Sequence, residues 1–204
     1  MPDLHPTPGQ TIGPFFSDPG ARYGLSYVGD NELVPPTHPR AVVLHGTVYD
    51  GAGQSVPDAL IEIRQADERG VVPEIEGAIR RDGTVFTGWG RTCADPAGRY
   101  RFVTLAPGSA DGAPFFAVTV FARGLLDRLF TRAYVPDDDA ASAADPVLSS
   151  VPPERRDTLI AVREDMPGAA AAGGALRFDI RLQDSADGPE TVFLDFPRHR
   201  VPGA

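Results

Sequence analysis

The chain has 204 residues, 28 acidic and 19 basic, for a formal charge of −9. That length suits one domain burying roughly 70% of its unfolded surface, and the acidic balance excludes a phosphate-neutralising nucleic-acid surface. All 19 basic residues are arginine, which excludes Schiff-base and P-loop lysine chemistry.

Residues 1–40 carry Pro6, Pro8, Gly9, Gly13, Pro14, Pro19 and Gly20, then Pro35, Pro36 and Pro39. This is turn and coil chemistry, read as an arm laid over something else. Short strands follow, separated by turns. Ala41 to Tyr49 is the first, closed by Asp50-Gly51. Leu60 to Gln65 is the second, with Ile61 and Ile63 on one face and Glu62 and Arg64 on the other. Arg99 to Leu105 follows the turn Asp95-Pro96-Ala97-Gly98. Phe115 to Arg123 is nearly all apolar and is expected to be a central strand buried on both faces. Leu129 to Val135 comes next.

The pattern breaks over 136–175. Pro136 to Asp139 reads as a solvated acidic turn, and Pro152-Pro153-Glu154 opens a short helix running to Leu159 or Val162. Ala169 to Ala175 is a small-residue loop. Period-2 alternation returns in Leu176 to Leu182, and Glu190 to Phe196 is the last expected strand. Gly and Pro together make 43 residues, about 21% against a usual ~12%, and fit a turn-rich protein. The expected fold is all-β: a β-sandwich over 41–204, one domain with the arm 1–40 and a short helical insertion.

No membrane-length apolar run is present, and Met1 to Pro8 lacks the basic start and apolar stretch of a secretory signal. The single cysteine, Cys93, cannot close an internal disulfide. Both point to the reducing cytoplasm. Cys93 is read as a small buried apolar residue rather than a nucleophile.

Self-contained catalysis is hard to find. There is no C-x-x-C, H-E-x-x-H or G-x-S-x-G, and His5, His38, His45 and His199 are scattered. His45 is expected to be a structural histidine with one hydrogen bond. Glu74, Glu76 and Asp82 fall in a polar loop, poor ground for paired-carboxylate chemistry. Gly168, Gly173 and Gly174 lack the strand and helix of a phosphate cradle. Two features stand out. One is the arm segment Gly9 to Phe16, whose glycines permit close backbone approach and whose aromatics want burial; docking on its own domain is the plainer reading. The other is Arg132, which alternation sets on one face between Phe130 and Tyr134. It is either a stacked surface group or an anion-binding fork.

The segments Thr7-Pro8-Gly9-Gln10-Thr11-Ile12-Gly13-Pro14-Phe15-Phe16, Gly46 to Gly51, Gly90-Arg91-Thr92, Phe121 to Leu125, Thr131 to Tyr134, Arg155 to Ala161, Arg177 to Gln183 and Glu190 to Phe196 resemble, in the same order, the intradiol ring-cleavage dioxygenases. The resemblance covers nearly the whole chain and is strongest to the iron-free alpha subunits of that family. It implies cleavage of 3,4-dihydroxybenzoate (protocatechuate) by O2 to 3-carboxy-cis,cis-muconate, in the β-ketoadipate route of aromatic degradation. Family members hold Fe(III) with two tyrosinates and an H-x-H pair. The matching strand here, Phe115 to Phe121, has no histidine, and Pro107-Gly108 leads into Ser109 where a ligand tyrosine would stand. The resemblance therefore implies that iron is bound by a homologous beta subunit, within an alpha-beta hetero-oligomer. It assigns substrate contact to Thr11, Gly13 and Pro14 of the arm and to Arg132, with no catalytic residue or metal ligand in this chain alone. The rival is a non-catalytic, transthyretin-like β-sandwich module that binds a small ligand or carbohydrate, with Trp89 as a stacking platform. A free-standing intradiol dioxygenase is disfavoured by the missing ligands.

Overall fold

The structure, a computed structural model, describes residues 29–57, 59–74, 85–110, 112–136, 139–165 and 173–195. Among these residues nine strands form two sheets: β1 (Ala41–Tyr49), β2 (Leu60–Gln65), β3 (Trp89–Cys93), β4 (Arg99–Leu105), β5 (Phe115–Phe121), β6 (Leu129–Tyr134), β7 (Val162–Glu164), β8 (Ala175–Arg177) and β9 (Ile180–Arg181). One sheet runs β4-β1-β8-β7 with β9 also on β1; the other runs β3-β2-β5-β6. The all-β sandwich expected from the alternation is what forms.

The core is the meeting of the two inner faces. β1 contributes Val42, Leu44 and Val48, β2 Ile61 and Ile63, β4 Phe102, and β5 Phe116, Val118 and Val120, all within one apolar cluster. Pleating explains the choice, since successive side chains leave opposite faces of a strand. Burying each of these large apolar side chains stabilises the fold by about 1.5–3 kcal/mol.

β5 differs from expectation. It lies between β2 and β6, but its burial alternates, with Phe115, Ala117, Thr119 and Phe121 only half-buried. The outer face there is flanked by the charged side chains of β2 and β6 instead of a second apolar layer. β3 went unpredicted. It pairs antiparallel with β2, Gly90 opposite Ile63 and Cys93 opposite Leu60.

Residues 30–33 close the seam between the sheets. Arg91 N donates to Asp30 O (3.0 Å), Val103 N to Asn31 O and Leu33 N to Val103 O (both 2.8 Å). Backbone groups of β3 and β4 left open at the sheet edges are thereby satisfied. The described end of the arm, 29–40, thus packs on its own sandwich; residues 1–28 lie outside the described residues.

The period-2 segment expected as one strand, Leu176 to Leu182, divides into β8 and β9. The parallel register on β1 is continuous, Val43 opposite Ala175 and Val48 opposite Ile180. At the break, Phe178 N donates to His45 O (2.8 Å), the Tyr100 hydroxyl donates to Phe178 O, and Thr47 N donates to the Asp179 carboxylate (3.0 Å). A side chain replaces one rung of the ladder. Glu190 to Phe196, expected as a strand, joins no ladder over its described part. Its polar groups go to different elements: Thr191 N to Arg181 O (3.0 Å), Leu194 N to Phe130 O (2.7 Å), and Val192 O accepts from Thr131 Oγ1 (2.8 Å). It is a strap across both sheets.

The insertion is richer than one helix. α1 (Asp139–Ala144) and α2 (Pro146–Ser150) precede a 3-10 helix, Pro153–Leu159. The last starts where Pro152-Pro153 places it, while Asp139 opens a helix instead of closing a turn. Asp145 caps α2 with Pro146 in its first turn, the arrangement both residue types favour. A second cluster, Ala113, Tyr134, Leu148, Val151 and Leu159, seats the insertion on the end of β6. Among the described residues no helix is long and apolar enough to cross a membrane.

On the outer face of β1, His45 stands opposite Arg101 of β4 and Arg177 of β8. Arg177 donates to Glu164 Oε1 (2.5 Å) and to Asp179 Oδ2. Contrary to expectation, His45 Nε2 is buried without a hydrogen bond, its orientation toward Glu164 Oε2 at 3.3 Å being unsuitable. Burial holds its pKa below the ordinary 6.5, Arg177 and Arg101 act in the same sense, and Glu164 and Asp179 oppose them. Neutral His45 therefore stabilises the fold fully above pH 6.5, and that contribution is lost as pH falls from 6.5 through the lower folded value. We expect His45→Asn to flatten the acid limb of a plot of urea midpoint against pH between 7.5 and 5. Parallel plots for the two proteins would refute this.

Candidate functional site

Arg132 lies on β6, where strand alternation turns Thr131 and Ala133 to the core and Phe130, Arg132 and Tyr134 to the outer face. Its cross-strand partner is Ala117 of β5, and Phe115 is opposite Tyr134. Because Ala117 is small, the Arg132 side chain folds diagonally across the pair, within the reach of cross-strand diagonal neighbours. Its guanidinium carbon rests 3.9 Å from the Phe115 ring centroid and 5.9 Å from that of Tyr134. The sequence suggested Phe130 and Tyr134 as its flanking aromatics. Phe130 is instead covered by Arg128, at 5.1 Å.

The guanidinium is also held along one edge. Arg132 Nη1 donates to the Tyr134 hydroxyl oxygen (3.0 Å), and that hydroxyl donates to Asp145 Oδ1 (2.9 Å). The same oxygen accepts Val147 N (2.9 Å) and Leu148 N (3.0 Å) as the cap of α2. Asp145 Oδ2 is 4.0 Å from Arg132 Nη1. Side-chain exposure is 4% for Asp145 and 22% for Arg132, so the carboxylate is inside while part of the cation is not. A buried carboxylate is tolerable only with such partners. Burial pushes the Tyr134 pKa up to about 12, against the opposing pull of the Arg132 hydrogen bond, so the hydroxyl keeps its proton at neutral pH.

The remaining edge of Arg132 is unused. Among the described residues neither Nε nor Nη2 has a hydrogen-bond partner, and these two atoms form the fork that grips a carboxylate with paired bonds. The arrangement can bind and orient an anion. It supplies no nucleophile and no general base. Of the other residues singled out from sequence, Thr11, Gly13 and Pro14 lie outside the described residues. Cys93 is half-buried and lines, with Asn31 and Arg101, a cleft on another side of the sandwich. Trp89 has the Arg91 guanidinium 5.2 Å from its ring centroid, so one face of the ring is already engaged.

Sequence reasoning missed Phe115 and Asp145, and gave Tyr134 only as a ring flanking Arg132, without its hydrogen bonds. Asp145-Pro146 was the readable signal, a capping residue followed by proline. Its pairing with Tyr134 was not readable.

Ferric iron demands nitrogen and oxygen donors. β5, the strand that the sequence resemblance matches to an H-x-H pair, offers Phe116 and Val118 inward and Phe115, Ala117 and Thr119 outward. Among the described residues no three His, Cys, Asp or Glu side chains stand together as a metal site. The described residues of β5 do not fit the metal.

A family model described as Dioxygenase matches residues 13–115. The protocatechuate 3,4-dioxygenase alpha chain of Burkholderia cepacia is 43% identical, over 96% of this chain and 100% of its own length. The beta chain of that enzyme from the same organism is 32% identical over 58% of this chain and 54% of its own. Among solved structures, the dioxygenase domain of a dioxygenase–carbohydrate-binding fusion from Streptomyces sp. SirexAA-E superposes with a TM-score of 0.53 at 23% identity, over 89% of this chain and 100% of that one. That likeness speaks to the fold.

Proposed function

The chain belongs to the intradiol dioxygenase family that contains the protocatechuate 3,4-dioxygenase alpha chains, and we propose that it is the iron-free subunit of such an enzyme, paired with a homologous beta chain that holds Fe(III). The reaction is cleavage of the ring of 3,4-dihydroxybenzoate by O2, both oxygen atoms entering the product 3-carboxy-cis,cis-muconate. In this reading the chain builds part of the substrate pocket and the scaffold. The arm, through Thr11, Gly13 and Pro14, forms a close backbone wall, and Arg132 receives the substrate carboxylate.

The observation that carries the proposal is the free Nε–Nη2 edge of Arg132 on a guanidinium otherwise held by Phe115 and Tyr134. A cation fixed before substrate arrives, in a partly desolvated site, attracts and orients the anion with little reorganisation. The absence of histidine and tyrosine from β5 supports placing the metal in the partner.

Purified alone, the chain is expected to take up no stoichiometric ferric iron and to show no O2 uptake with 3,4-dihydroxybenzoate. Purified together with a homologous chain that carries the two tyrosines and the H-x-H pair, it is expected to yield iron in proportion to the pairs, and turnover. Metal analysis and an oxygen electrode read both. Stoichiometric tyrosinate-bound iron in the isolated chain would overturn the assignment.

A further inference from the structure

Arg132 does not stand alone, and its supports are themselves ordered. The Tyr134 hydroxyl has one proton, and Asp145 Oδ1 accepts it at 2.9 Å. The lone pairs of that hydroxyl are thereby turned toward Arg132 Nη1, 3.0 Å away. Asp145 in turn cannot rotate freely, since the same oxygen caps α2 through two backbone N–H groups. Tyr134 is fully buried between Phe115, whose ring is 5.5 Å away between centroids, and the insertion. Each member has its orientation set by the next.

We infer that Tyr134 is a positioning residue: it relays the fixed orientation of buried Asp145 to Arg132, so that the Nε–Nη2 edge stays turned to the carboxylate of the substrate. This rests on the reading of Arg132 given above. The relay also does something a direct ion pair would not. Asp145 Oδ2 is only 4.0 Å from Arg132 Nη1, and the hydroxyl acts as the spacer that keeps cation and carboxylate from closing into a bidentate pair. Without it, the fork that serves the substrate would turn to Asp145, and the substrate would compete with an internal anion.

The test is a double-mutant cycle in the assembled, iron-loaded heteromer: wild type, Tyr134→Phe, Arg132→Ala and the double variant, each with 3,4-dihydroxybenzoate and with catechol, which lacks the carboxylate. Calorimetric binding of 4-hydroxybenzoate supplies a readout without turnover. Tyr134→Phe retains the ring and leaves Asp145 its two backbone bonds, and a melting curve with catechol turnover verifies that it is folded. The expected result is a rise of about 5- to 20-fold in KM for 3,4-dihydroxybenzoate and in Kd for 4-hydroxybenzoate, smaller than the loss of a whole hydrogen bond to a charged group because the Arg132 cation remains and only its orientation is relaxed. The kcat and catechol turnover should stay within about twofold. In the Arg132→Ala background Tyr134→Phe should change nothing further, because a residue acting only through another has no effect once that one is gone. Arg132→Ala impaired while Tyr134→Phe is silent, or acts equally on both substrates or in both backgrounds, would overturn the positioning role and leave the Arg132 reading intact. Arg132→Ala itself silent would remove both.

Discussion

Arg132→Ala in the assembled, iron-loaded enzyme is expected to lower kcat/KM for 3,4-dihydroxybenzoate by about 10- to 150-fold, the span of a charge-assisted hydrogen bond worth roughly 1.5–3 kcal/mol. Iron content should not move, because the residue is not a ligand. Arg132→Lys is the sharper probe. It keeps the charge but loses the planar fork and the stack on Phe115, so it should recover only part of the loss. Arg132→Glu should be worse than alanine, placing a second anion beside Asp145 and against the substrate. If Arg132 only packs on Phe115 and neutralises Asp145, alanine substitution would lower the melting temperature and leave kinetics within twofold of wild type. Kinetics and melting on the same preparation therefore decide between a substrate contact and a structural cation.

The second large effect lies in the scaffold. Gly46→Ala should cost at least about 3 kcal/mol, because small-to-large changes against backbone cannot be relieved by a rotamer change. A Cβ at Gly46 would overlap the Phe178 carbonyl, whose carbon is 2.6 Å from that position, and would sit 3.1 Å from the Tyr100 hydroxyl. β1 is held by β4 on one side and by β8 and β9 on the other, so neither strand can step back. Against a usual total of 5–15 kcal/mol, such a loss lowers the melting temperature by about 6–12 °C in a domain of this size. Gly124→Ala is the matched comparison. Gly124 has φ +89° with nothing within 4 Å of a Cβ, so only backbone strain of about 1 kcal/mol is at stake. Equal melting temperatures for the two variants would mean that the β1–β8–β9 junction is not as close as described.

Residue order alone determined the parts that depend on local pleating. β1, β2, β4 and β6 lie where alternation and the bounding turns set them, and β5 where its apolar run does, within two residues at their ends, because a strand that covers a core must show it apolar residues at every second position. Arg132 on the outward face follows from the same rule, and so does the resemblance in the quoted segments, which is a property of residue order. Tertiary structure alone decided what depends on a partner distant in the chain. β3 was hidden because Gly90, Arg91 and Thr92 break the apolar alternation; only pairing with β2 and the closure by Asp30 O make it a strand. Leu176 to Leu182 alternates cleanly, but contact of Phe178 with Gly46 and Tyr100 and of Asp179 with Thr47 divides it. Glu190 to Asp195 has strand composition and no ladder, since its hydrogen bonds go to β6, β9 and the 3-10 helix in turn. Arg132 takes Phe115 in place of Phe130 because register puts Ala117 opposite it and so opens the diagonal. Asp145 reaches Tyr134 because the insertion folds back on the end of β6. A pleat acts over two residues and is written locally, whereas the partner of an outward side chain is chosen by register and loop closure, which no short window of sequence contains.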